Sequence, residues 1–112
     1  MDVIFNKSKN CLIVRLKGEI DHHSADQLRQ VLKDVLRKYP QASLLLNLEE
    51  LNFMDSSGIG VLLGRYREME NSKRKIMLCG LKSQVRRVLE LAGVLTIISA
   101  YKTEKEALNQ GR

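Results

Sequence analysis

The chain has no tryptophan, a single proline and only 4% aromatic residues among its 112. Its core must therefore be aliphatic. No apolar run approaches the roughly 20 residues that span a bilayer. The first ten residues, MDVIFNKSKN, lack a basic region followed by a long apolar stretch, so neither membrane insertion nor a secretory signal is expected. The two cysteines, Cys11 and Cys79, lie far apart, each inside an apolar segment. They read as buried free thiols in a reducing compartment rather than as a disulfide, and the expected location is cytoplasmic. Repeats, low-complexity stretches and linkers are all missing. So is G-x-x-x-x-G-K-[ST], the loop that cradles a nucleotide phosphate, and no cofactor is expected.

What remains fits one domain over residues 1–112, with 44% hydrophobic residues to build a core. The formal net charge is +6. Residues 1–64 and 88–112 are each balanced, so the whole excess lies in residues 65–87: Arg65, Arg67, Lys73, Arg74, Lys75, Lys82, Arg86 and Arg87 against Glu68 and Glu70. Only Tyr66 interleaves an aromatic with that charge, whereas single-stranded nucleic acid is held by several stacking rings. The segment reads as a solvated face with a basic turn, and no nucleic-acid partner is expected.

Periodicity organises the chain. Residues 1–5 form a short apolar piece and 6–10 a turn. Residues 11–17 alternate, with Leu12, Val14 and Leu16 on one face and Ile13, Arg15 and Lys17 on the other, as in a half-covered strand. Ser24 and Gln27 are spaced as a capping box. A helical stripe from Leu28 to Tyr39 follows, and Pro40 stops it. SLLLNL, residues 43–48, suits a central strand buried on both sides. Ile59, Leu62, Leu63, Tyr66 and Met69 make a second helical stripe, on which Gly60 and Gly64 are expected to permit close approach to the sheet. Lys75 to Cys79 is another strand. Val85, Val88, Leu89 and Ala92 mark a third helix ended by Gly93. Thr96 to Ile98 is a last strand, and Thr103 to Glu106 a capping box that opens a final helix. The order ββαβαβαβα predicts an α/β domain with a mostly parallel sheet.

Loops beyond the carboxyl ends of parallel strands are where such domains do their work. Three qualify: Gly18 to His23, Glu49 to Ser57, and Gly80 to Lys82. The second contains FMDSSG and runs into a helix N-terminus, where free N–H groups and the helix dipole favour an anion. Ser56 or Ser57 is expected to cap that helix. A phosphate on either serine would suit the helix end, yet Asp55 would repel it. Ser56, His22, His23 and Asp21 hold the ingredients of a serine hydrolase. But the G-x-S-x-G elbow fails, because Met54 stands where its first glycine would be, and adjacent histidines point in different directions. His22 and His23, with no cysteine nearby, match no metal-ligand spacing. A binding module without catalytic residues is the reading that the residues support.

Three strings carry a family likeness: GEIDHHSA at 18–25, LNLEELNFMDSSGIGVLLGRYR at 46–67, and the run from Val85 to Gly93. Together they resemble the bacterial anti-sigma factor antagonists, which are STAS domains, and within these the sporulation branch that acts on anti-sigma F. The likeness spans essentially the whole chain. It implies a partner, an anti-sigma factor that is a serine kinase. The unphosphorylated antagonist binds the ADP form of that kinase and frees the sigma factor. With ATP the kinase phosphorylates the serine after the motif aspartate, and a serine phosphatase reverses the mark. The residues alone leave Ser56 and Ser57 as alternatives. The resemblance selects Ser56, surrounds it with Asp55, Ser57 and Gly58, and assigns partner contact to these and to the Asp21, His22 and His23 loop. A stress-response antagonist of the same fold is the neighbouring alternative.

Overall fold

A computed structural model describes residues 1–110. Five strands stand in chain order across one sheet: β1 (Asp2–Asn6), β2 (Cys11–Ile20), β3 (Ser43–Met54), β4 (Ile76–Cys79) and β5 (Ser99–Tyr101). β1 pairs antiparallel with β2, and the other three pairings are parallel. The α/β domain with a mostly parallel sheet is therefore as the sequence predicts. Helices α1 (Ala25–Lys38), α2 (Ser56–Asn71), α3 (Ser83–Leu91) and α4 (Glu104–Gln110) complete it.

Because the strands never reverse their order, right-handed crossovers send α1, α2 and α3 to the same face. The larger core forms there. Leu12, Val14 and Leu16 of β2, Leu44, Leu46 and Leu48 of β3 and Leu78 of β4 meet Leu28, Leu32, Leu62, Met69 and Leu89 of the helices. The alternate residues Cys11, Ile13, Leu45, Met77 and Cys79 point the other way and are covered by Ala107 of α4. SLLLNL is thus buried on both sides. β2 is covered on both faces in its first half and opens to solvent from Arg15 onward, at Arg15, Lys17 and Glu19. Cys11 and Cys79 are both free and buried.

Several local expectations are corrected. β2 and β3 run on to Ile20 and Met54, so much of the two anticipated loops is strand. Past α4's cover, Glu49, Glu50 and Asn52 face solvent while the ladder with β2 continues; polarity there marks an open face, not a loop. Residues 94–96 form a 3-10 turn, and the last strand begins at Ser99. Gly93 does end α3 in the left-handed region, at φ 76°, but the chain curls again before reaching β4's edge. Ser24 does not cap α1 with its side chain, because its own backbone is already helical. Gly60 and Gly64 have open space where a Cβ would stand. The close-approach glycine is Gly58, whose Cβ would lie 2.5 Å from Met54 Cγ and 3.1 Å from Ile20 Cγ2.

The basic segment is not uniformly solvated. Arg65 is 6% exposed, its Nε 3.9 Å from the Glu68 carboxylate. Arg74 is half-buried and donates hydrogen bonds to two backbone carbonyls. Among the described residues no helix is long and apolar enough to cross a membrane.

Candidate functional site

The carboxyl ends of β2, β3 and β4 bring the three loops to one end of the domain. Ile20 is the register partner of Met54, and the Asp55 N–H donates to Ile20 O at 3.2 Å. That bond ties the Asp21 turn to the Ser56 loop. The third loop joins through Lys82 Nζ, which donates to Asn52 Oδ1 at 2.6 Å. Gly80, at φ 71°, sits against Glu49, whose Cβ lies 3.0 Å from where a glycine Cβ would be.

Asp21 organises its own turn. Its Oδ1 accepts from His23 N (2.9 Å), Ser24 N (3.0 Å) and Ser24 Oγ (3.2 Å), and its carbonyl accepts from Ala25 N. A turn therefore starts at Asp21 and leads into α1, which explains why the Ser24 side chain makes no capping bond to the helix. The backbone hydrogen bond from Ser24 holds the Asp21 carboxyl below its ordinary range, against a smaller desolvation effect. It is ionised at neutral pH. His22 and His23 are exposed and meet edge to face, their ring centroids 5.7 Å apart.

Asp55 caps α2. Its backbone is extended (φ −106°, ψ −169°), and its Oδ1 accepts from Ser57 N at 2.8 Å. Its carbonyl accepts from Gly58 N and Ile59 N. The expectation that a serine hydroxyl caps the helix is corrected: a carboxylate two residues upstream of the N–H does so, and both serines are helical. Ser56 is the first helical residue and is exposed; Ser57 is half-buried; Gly58 is buried against Met54 and Ile20. The N–H of a first helical residue has no partner within the helix. The hydroxyl of Ser56 thus projects from a fixed, solvent-facing position beside an unsatisfied donor and an ionisable carboxylate. Among the described residues no hydrogen bond links it to His22 or His23.

Sequence reasoning missed Phe53. It is 45% exposed and lies two residues before Asp55, a large apolar surface at the end of β3 that leads into the Ser56 loop. A phenylalanine inside an apolar string gives no sign of its exposure. The register with β2, which pairs it with Glu19 at the uncovered end of the sheet, is what leaves it there.

A STAS domain match covers residues 2–107. The anti-sigma F factor antagonist of Paenibacillus polymyxa is 36% identical over 102 residues, covering 91% of this chain and 87% of that protein. The chain belongs to the STAS-domain anti-sigma factor antagonists. Another relative, the anti-sigma-B factor antagonist of Listeria monocytogenes, is 30% identical over 89 residues, covering 80% of this chain and 77% of that protein. Among solved structures, the anti-sigma factor antagonist SpoIIAA in its unphosphorylated form superposes with a TM-score of 0.83 at 32% identity, covering 99% of this chain and 95% of that one. The Bacillus cell fate determinant SpoIIAA in the phosphorylated form gives 0.74 at 31% identity, covering 99% and 98%. An antagonist of this family is a regulatory binding protein, in keeping with a site made of an exposed hydroxyl and carboxylates.

Proposed function

We propose that this antagonist is switched by phosphorylation of Ser56, and that its unphosphorylated form binds an anti-sigma factor serine kinase and so frees a sigma factor. The observation that carries the reading is the placement of Ser56. It is exposed, first in α2, and joined through Asp55 N–H to the Asp21 turn. The similarity to a protein solved in both phosphorylated and unphosphorylated forms supports it.

In this reading a kinase needs a hydroxyl it can reach in a fixed position, which Asp55 and Gly58 provide. The bound partner contacts Asp21, His22, His23, Asp55, Ser56, Ser57 and Gly58, with Phe53 as an apolar anchor at the rim; exposed aromatics are common binding hot spots. A phosphate adds roughly −1.5 to −2 charges. The helix end tolerates it, while the partner surface, complementary to Asp21 and Asp55, does not. A serine phosphatase resets the switch, in the cytoplasm. The sporulation branch is favoured by the anti-sigma F relative, and the stress-response alternative draws on the anti-sigma-B relative.

Incubation with an anti-sigma F kinase and ATP, then mass spectrometry, tests the acceptor. Phosphate is expected on Ser56, none in Ser56→Ala, and Ser56→Ala should still bind the kinase. Phosphate on Ser57 would refute the assignment. Parallel incubation with an anti-sigma-B kinase separates the two branches.

A further inference from the structure

The end of the sheet opposite Ser56 gathers much of the charge that the switch leaves unused. Three turns meet there, those between β1 and β2, α1 and β3, and α2 and β4. Asn10 Nδ2 donates to Gln41 O at 3.2 Å, and Ser43 N to Asn10 O at 3.0 Å. Arg74 donates Nε to Ser72 Oγ at 2.8 Å and Nη1 to Tyr39 O and Ala42 O at 3.3 and 3.4 Å. Its guanidinium is thus spent on bracing the turns. Between them lies a cleft of about 210 Å³ whose polar lining is Lys9, Gln41, Ser43, Lys73, Arg74 and Lys75. Among the described residues no carboxylate lines it.

Backbone strain marks the same place. Among the described residues two that are not glycine have positive φ, Asn10 at 49° and Lys73 at 57°. Both belong to these turns. Asparagine tolerates that region; lysine does so only at a steric cost. Lys73 follows the last cap of α2, where glycine is the usual residue. A lysine held there sets a cation at the cleft at the expense of fold stability, and strain of that kind is a pointer to function.

We infer that this cleft is an anion site that takes a phosphate group. Lys9, Lys73 and Lys75 come from separate directions on two turns, and Gln41 and Ser43 add neutral donors from a third. A ligand with several charged oxygens uses such a set; a single carboxylate does not. Arg74 is a positioning residue. The chemistry is shared by a free phosphate compound and by the headgroup of an anionic lipid. The twelve residues of β3, at about 3.3 Å each, separate the cleft from the Ser56 loop. That exceeds twice the Debye length of about 8 Å at physiological salt, so the site acts independently of the switch.

Two arms test it at physiological salt. In the first, amide NMR follows titration with inorganic pyrophosphate; in the second, the protein is sedimented with phosphatidylglycerol or with phosphatidylcholine vesicles. Shifts confined to residues 7–10, 40–43 and 72–76 are expected. Binding to phosphatidylglycerol alone assigns the headgroup as the source, and binding to pyrophosphate assigns a free phosphate compound. Lys73→Gly should weaken binding by about fivefold, one lysine's worth of attraction, while raising the melting temperature. Opposite movement of affinity and stability excludes damage to the fold as the cause. Lys75→Ala should weaken binding without that gain. The proposal is overturned if pyrophosphate leaves these amides unmoved and phosphatidylglycerol vesicles sediment no more protein than phosphatidylcholine ones, if sodium chloride at matched ionic strength acts equally, or if both variants bind as the wild type does.

Discussion

Asp55 and Gly58 determine how Ser56 is presented, the one by hydrogen bonds and the other by close packing. The Asp55 carboxylate satisfies the Ser57 N–H, so Asp55→Ala should cost about 0.5–2 kcal/mol in urea unfolding. Ser57→Ala removes a hydroxyl that caps nothing and should stay within about 0.5 kcal/mol. A reversed ranking would return the cap to Ser57. A Cβ at Gly58 would press into Met54 Cγ and Ile20 Cγ2, and overpacking of that kind costs about 1–3 kcal/mol. Gly60→Ala, with open space around it in mid-helix, should instead stabilise by about 0.4–1 kcal/mol. Asp21 adds a pH signature. Its folded-state pKa is depressed, so its contribution is present above the unfolded value near 3.8 and is lost as pH falls through the folded one. Asp21→Asn keeps the acceptor oxygen and removes the charge. Acid melts should show a shallower loss of stability for that variant below about pH 3.8, while its binding to the kinase weakens at neutral pH.

At the level of elements, the pattern that sequence reading could follow was hydrophobic period. The doubly buried SLLLNL, the stripes of α1 and α2, and the left-handed Gly93 after α3 are all visible in residue spacing. Three things were hidden. The extension of β2 and β3 depends on where α4 stops covering the sheet, which no local pattern records. The run at 94–98 is as apolar as a strand, but pairing with Met77 to Cys79 decides which residues make β5. Asp21 and Asp55 cap through Oδ1 to N–H groups two and three residues on, so the capping role sat one to three positions before the serines that suggested it. The site end itself was legible, because strand direction places those loops; the exposed Phe53 was not. Helix α4 offers a test of the second core. Burial pushes the Cys11 thiol up to about 11 and Cys79 up to about 12. These raised values add stability that is present below the unfolded value near 9 and is lost as pH rises through 11 to 12. At pH 8 both thiols should resist iodoacetamide. Ala107→Glu would bury a carboxylate against them at a cost of several kcal/mol, so α4 should undock. Labelling of both cysteines should then accelerate by about an order of magnitude, while the helices on the opposite face keep their circular dichroism. Unchanged labelling would mean that α4 does not seal this core.

At the scale of the whole molecule, Asp21, Glu49, Glu50 and Asp55 lie toward the Ser56 end together with Lys17 and Lys82, while Lys9, Lys73, Arg74 and Lys75 lie at the other. Phosphorylation of Ser56 therefore adds its charge at the end that already holds Asp21 and Asp55. The free N–H groups and dipole of α2 offset part of the added charge, and no core residue has to move, since Ser56 is exposed while Met54 and Gly58 beneath it are packed. The two forms should accordingly share one backbone. Amide NMR of the phosphorylated and unphosphorylated protein should show changes confined to residues 20–24 and 53–59, with β1, α4 and the basic turns unaffected. Ser56→Asp should weaken kinase binding in part, because it adds one charge where phosphate adds roughly 1.5 to 2. Raising salt should restore some binding to Ser56→Asp, whose defect is screened. It should restore less to the phosphorylated protein, where the bulk of the group also blocks close packing. Large shifts throughout α1 and α3 on phosphorylation would show a refolding switch and would rule out a blocked surface as the mechanism.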